Sequence, residues 1–228
     1  MIEEGMMKTK AVFSEDKTHR YILDKQWNET LPKMAVIMLQ SGKSDALIQD
    51  VTTCNIINCV IELEGGYGGV SIVNLFSRLD LELEADSDID DFTDEENDRQ
   101  IEEVAKEAEV IVLAYGKAQE TSLCVKQRVN EVLERLELYK DKMYLIGDGK
   151  GRKGFSAMYP KVRNKWILYK AFEEELKSNQ QENTQAEKVA EHVEELQESK
   201  REKKGSTSNP NNKESTTNRT KKNQKKSS

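Results

Sequence analysis

The sequence predicts a three-layer α/β/α domain around a central, mostly parallel four-stranded sheet, with a disordered C-terminal tail. Three observations predict it. Four short apolar runs are continuous rather than alternating, as expected for strands covered on both faces. Segments with helical spacing of apolar residues fall between them, and strand–helix alternation favours parallel pairing through right-handed crossovers. Apolar residues then fade after Phe172, where Glu, Lys, Gln, Asn and Ser take over.

The four runs are residues 36–39, 70–76, 110–115 and 143–146, each rich in branched or aromatic side chains. An earlier piece, residues 20–23, suits an antiparallel edge strand. Residues 45–63 repeat apolar side chains at Leu47, Ile48, Val51, Cys54, Ile57, Val60 and Ile61, a helical pattern. Thr93 and Glu96 have the spacing of a capping box, in which each satisfies an orphan backbone N–H of the helix they open. That helix carries Ile101, Val104 and Ala108. A further helix is expected over 122–138, with Val125, Val129, Val132, Leu133 and Leu136 on one face. The last is expected over 164–176, with Trp166, Ile167, Tyr169, Ala171 and Phe172 toward the core.

The α/β domain is therefore expected over residues 1–177. Residues 178–204 form a charged helix or linker, because Val189, Val193 and Leu196 make only a thin apolar stripe. Residues 205–228, rich in Ser, Asn, Thr and Lys, cannot bury enough surface to fold. The net charge of −7 hides an asymmetry. Residues 199–228 hold ten Lys/Arg against Glu202 and Glu214, hence +8, which leaves −15 for residues 1–198. A basic arm on an acidic body suits an anionic partner such as nucleic acid, or serves only to solubilise.

Other chemistries find little support. Cys54, Cys59 and Cys124 lack framework spacing, and the first two lie in an apolar stretch, where free cysteine acts as a small hydrophobe. No N-terminal apolar region resembles a signal peptide and no apolar run approaches a membrane span, so a cytoplasmic protein without membrane contact is expected. His19 and His192, the only histidines, are far apart in the chain. Asp86, Asp88 and Asp90 mimic the start of a calcium loop, but Asp91 stands where the sharp turn needs glycine and Asn97 replaces the closing Glu. Neither a metal nor a cofactor is expected. Gly-x-Ser-x-Gly is absent, and residues 147–154 lack the Gly-Lys-Ser/Thr ending of a phosphate-binding loop.

What remains is a set of polar groups beyond the carboxyl ends of the strands, where open α/β sheets place their sites. Gln40, Ser41 and Gly42 follow the first buried run, and Asn74 stands near Phe76 at the end of the second. An amide beside an aromatic ring suits a flat heterocycle, the amide reading its edge while the ring stacks. Tyr115, Gly116 and Lys117 follow the third run, and the glycine-rich stretch after the fourth carries Lys150, Arg152 and Lys153. Such a flexible, basic loop suits backbone phosphates. A nucleotide or nucleic-acid site and ordinary loop chemistry at a sheet rim both account for these residues.

At these residues the sequence resembles the bacterial and phage family called domain of unknown function 1643. The matching elements include Arg20-Tyr21, Trp27, Asp50-Val51-Thr52, Tyr67-Gly68-Gly69, Asn74-Leu75-Phe76, Glu96-Asn97-Asp98 and Ala114-Tyr115-Gly116. The order of elements is also similar to the uracil-DNA glycosylase superfamily. That likeness implies a role for each strand-end residue. Gln40 would hold the attacking water, and Ser41, Gly42 and Tyr115 would line the base pocket. Asn74 would read the base edge, Phe76 would stack on it, and Tyr159 would support the leaving base. Lys117, Lys150, Arg152, Lys153, Lys161 and Arg163 would hold DNA phosphates. The sequence departs from that superfamily where Gln40 replaces Asn, Ser41 replaces Pro and Tyr159 replaces His. The resemblance thus implies a monomeric DNA-interacting protein that excises uracil or another modified base from single- or double-stranded DNA. A non-catalytic nucleic-acid-binding or regulatory protein of a mobile element, with a degenerate pocket, is the alternative.

Overall fold

A computed structural model describes residues 1–82, 89 and 92–173, and divides the chain into units Met1–Leu176 and Lys177–Ser228. The expected charged helix at 178–204, the tail at 205–228 and Asp86, Asp88, Asp90 and Asp91 of the calcium-loop mimic lie outside the described residues.

The strands are β1 (Lys8–Phe13), β2 (Arg20–Gln26), β3 (Lys33–Gln40), β4 (Gly69–Phe76), β5 (Val110–Leu113), β6 (Met143–Gly147) and β7 (Ile167–Lys170). They form one sheet in the order β1-β2-β4-β3-β5-β6-β7. The four central strands, β4, β3, β5 and β6, are mutually parallel, as the buried runs predict. The expected four-stranded sheet is nevertheless too small: β1 and β2 add an antiparallel margin on one side and β7 on the other. Residues 20–23 do form a strand, but β2 is not at the edge, because β1 pairs along it from Lys8↔Gln26 to Phe13↔Arg20.

The predicted helix at 164–176 is a correction. Residues 167–170 pair with β6 instead, from Gly147↔Ile167 to Tyr144↔Lys170. Ile, Leu and Tyr suit a pleated surface, and pairing closes the open edge of β6, so tertiary context overrides a helical pattern. Gly147 makes this possible: a Cβ there would lie 2.3 Å from the Tyr169 ring.

Among the described residues, three α-helices cover the two faces. In α1 (Val51–Glu62) the buried Ile56, Ile57, Cys59 and Val60 join Val36, Ile72 and Trp166 in one core. In α2 (Glu95–Glu107) and α3 (Leu123–Arg135), Ile101, Val104, Val129 and Val132 join Ile37 and Leu75 in the other. The cap of α2 is Asp94, which accepts from Glu96 N, rather than Thr93. Glu96 turns instead toward Arg99 and Gln100, so the expected reciprocal box does not form. Glu95, Glu96 and Asp98 in its first turn complement the helix dipole.

Asn97 and Asp98 serve the sheet. The β2–β4 ladder stops at Leu23↔Ile72 and resumes only at the His19↔Arg78 bridge, which leaves carbonyls near the end of β4 to be satisfied otherwise. Asn97 Nδ2 donates to the carbonyls of Asn74 (3.0 Å) and Leu75 (3.3 Å). Arg128, only 1% exposed, donates its Nε–H to Leu75 O at 2.9 Å and pairs with Asp98. Arg135 completes the group, 3.2 Å from the other Asp98 oxygen. Among the described residues, no helix is long and apolar enough to cross a membrane.

Candidate nucleotide site

The connectivity defines where a site can form. From β3 the chain crosses through α1 to β4 on one side, and then returns through α2 to β5 on the other. At such a reversal the connections diverge, and a crevice opens beyond the carboxyl ends of the adjacent strands. A crevice of about 790 Å³ lies there. Its walls come from Met38, Leu39 and Gln40 at the end of β3, residues 114–118 after β5, and residues 152–156 with Tyr159 after β6.

Of the residues expected at a site, Gln40, Tyr115, Lys117, Arg152, Lys153 and Tyr159 come together around this crevice. Gln40 ends β3 with an exposed side chain that has no hydrogen-bond partner among the described residues. Tyr115 is 7% exposed, and burial pushes its hydroxyl up to about 12, so it stays protonated at neutral pH. Gly116 follows with φ +73°, packed so closely on Ser156 that a Cβ would lie 3.1 Å from the serine's Cβ. Lys117 is exposed and pairs with Glu120 at 2.8 Å.

The loop after β6 is ordered by Asp148, which corrects the expectation of a flexible phosphate cradle. Its carboxylate accepts from the backbone N–H of Lys150 and Arg152 and from the Arg152 guanidinium, with Nε at 2.8 Å. Burial works to raise the Asp148 carboxyl, but these donors and the Arg152 charge outweigh it and hold the group below the usual carboxylate range. Those backbone donors are thus engaged within the loop, and anion contacts fall to side chains. Residues 148–165 carry six Lys/Arg against the single Asp148, a local +5 within an acidic body.

The other expected residues lie elsewhere. Ser41 turns inward and donates to Arg20 O at 3.1 Å. Gly42 and Ser44 offer their carbonyls to the Arg20 guanidinium at 3.2 and 2.7 Å. A Cβ on Gly42 would lie 2.5 Å from the Asp50 carboxylate, so glycine lets this loop close over the α1 cap. Asn74 and Phe76 are both fully buried and do not line the crevice. Asn74 stands opposite Met38 in the β3–β4 register, and both atoms of its side-chain amide are buried without a protein partner. Met38 lines the crevice and Asn74 does not. Lys150, Lys161 and Arg163 are exposed outside the crevice lining.

Sequence reasoning missed Met38 and Phe155. Phe155 is 7% exposed and stacks on Tyr159 with ring centroids 4.6 Å apart and 18° between planes. The signal for it was an aromatic residue directly after the glycine-rich loop. It also missed Arg20 and Arg128 as buried organisers; a cation beside or within an apolar pattern was the available cue. Among the described residues, no cluster of His, Cys, Asp and Glu could hold a metal ion.

One family, described as Protein of unknown function (DUF1643), matches residues 20–155 of the chain. The chain belongs to the DUF1643 family. The DUF1643 region runs from the first residue of β2 to Phe155, so it takes in every crevice residue except Ser156 and Tyr159. No curated protein and no solved structure matches the chain.

Proposed function

We propose that this DUF1643 protein interacts with DNA and takes one nucleotide of a strand into the β3–β5 crevice. The observation that carries the reading is the composition of that crevice at the topological reversal of the sheet. An apolar and aromatic lining of Met38, Ala114, Tyr115 and Phe155 faces a rim carrying Gln40, Lys117, Arg152 and Lys153. Such a lining suits a planar base, and the lysines and arginine suit phosphates, which position a strand without reading its sequence. The parallel four-strand core supports the likeness to uracil-DNA glycosylases.

In its catalytic form the reading is N-glycosidic hydrolysis of uracil or another modified base drawn out of the stack. Gln40, with its free amide, would orient the attacking water, and a hydroxyl from Tyr159 would donate to the departing base anion. Gln cannot act as a strong base, so positioning and anion stabilisation would supply the rate.

The burial of Asn74 and Phe76 favours a second reading, a binding or regulatory protein that keeps the fold without chemistry. Single-turnover incubation with single- and double-stranded oligonucleotides carrying one uracil, then alkaline cleavage, separates the two. Breaks that vanish in Gln40→Ala establish the glycosylase. Intact strands that are retained in a gel, with affinity falling in Lys153→Ala, leave the binding protein. No retention of either strand form overturns both.

A further inference from the structure

The least explained feature of the crevice rim is an exposed aromatic ring held rigidly. Tyr159 is 38% exposed, yet its backbone is fixed on both sides. Its N–H donates to Ser156 O at 3.0 Å, and its carbonyl accepts from Val162 N at 2.9 Å and Arg163 N at 3.0 Å. One face of its ring rests on Phe155, which is built into the core beside Val162 and Trp166. Phe155 is fixed in turn through its N–H to Ile146 O at 3.1 Å. The aromatic pair thus runs from the core outward and leaves the Tyr159 ring partly in solvent. A large exposed ring kept from collapsing onto the surface is poised to be covered by something flat.

The surrounding charge says what. Lys150, Lys153 and Lys161 flank the pair in sequence, and none has an ion-pair partner among the described residues. They belong to the +5 segment of an otherwise acidic body, so a polyanion is drawn to this rim in particular. A duplex hides the faces of its bases in its own stack, whereas an unpaired strand offers them to aromatic side chains.

We propose that Tyr159 is a stacking platform for an unpaired base of single-stranded nucleic acid, next to the nucleotide held in the crevice. This rests on the nucleic-acid reading of the crevice and adds the strand form to it. It assigns strand binding to the ring of Tyr159, apart from the leaving-base role of its hydroxyl in the catalytic form.

The test is the affinity of the full chain for fluorescein-labelled oligothymidylate and for a duplex of equal length, measured by anisotropy. Tyr159→Phe and Tyr159→Ala are compared, with circular dichroism to confirm folding. The platform predicts preference for the single strand, Tyr159→Phe within about twofold of wild type, and a 5- to 150-fold loss in Tyr159→Ala, the range for removing one base–aromatic stack. Equal losses in both variants would assign the hydroxyl and overturn the platform. Neutral variants, or a preference for duplex, would overturn it as well. If Lys153→Ala weakens binding while Tyr159→Ala does not, the crevice reading survives and only the platform fails. If the wild type binds neither form, both fall.

Discussion

Replacing Asp98 by Ala removes the counter-charge of an arginine that cannot reach water. The Arg128 side chain is 1% exposed, Asp98 supplies its buried carboxylate, and the remaining acidic neighbour, Glu131, lies 3.7 Å away with a side chain 38% exposed. Removing one partner of a buried pair costs about 3–5 kcal/mol, because the other charge stays in a medium that solvates it poorly. Glu131 still offers partial compensation, and freeing the half-exposed Arg135 costs little, so the lower end, about 3 kcal/mol, is expected. The double variant Asp98→Ala/Arg128→Met removes both charges. Leu75 O keeps its bond from Asn97, so the double variant should lose clearly less than the sum of the two single changes. Urea unfolding followed by circular dichroism reads both results as midpoint shifts at constant slope. A cost below about 1 kcal/mol for Asp98→Ala, or strict additivity, would refute the account of this network as a charge-paired clamp.

Two further consequences concern the crevice wall and the sheet margin. Gly116→Ala places a side chain at φ +73° and 3.1 Å from Ser156 Cβ, so a loss of about 1–3 kcal/mol is expected, read as a lower Tm; an unchanged Tm would show that the turn relaxes freely. Lys25 is fully buried, with Nζ only 3.4 Å from Thr9 Oγ1 and Asp45 O, and burial holds its ammonium below the usual lysine range. The unfolded chain therefore binds this proton more tightly, so Lys25 makes stability rise with pH between the folded value and the ordinary lysine value. Lys25→Met should raise stability at neutral pH and flatten that rise, read as a higher urea midpoint and a weaker pH dependence. A destabilised variant would mean that the two long hydrogen bonds outweigh desolvation.

The central strands were legible because a strand buried on both faces writes an uninterrupted apolar run, as in β4 with all eight residues buried. The crevice was legible for a related reason: strand ends collect sites, so the sequence alone groups Gln40, Tyr115, Lys117 and Arg152. The margins were not. β1 alternates Lys8 and Lys10 with half-buried residues, a pattern that also fits a surface loop. The helical spacing of Trp166, Tyr169 and Phe172 was real, but pairing with β6 decided the backbone. Asn74 shows the limit of position alone: it lies near the carboxyl end of β4, pairs in register with Met38 of the crevice wall, and is itself fully buried outside the lining. Nor could local composition show that Asp148 draws the glycine-rich loop into a fixed turn, because that depends on where its carboxylate points.

The central claim, that the β3–β5 crevice receives a nucleotide of a DNA strand, is tested most directly by photocrosslinking. The full chain would be irradiated with a single strand carrying one 5-iodouracil, and the attachment site located by peptide mass spectrometry. The account predicts attachment at Tyr115, Phe155 or Tyr159, and its loss in the presence of excess unlabelled strand. Attachment confined to residues 199–228, or to surfaces away from the crevice, would contradict it.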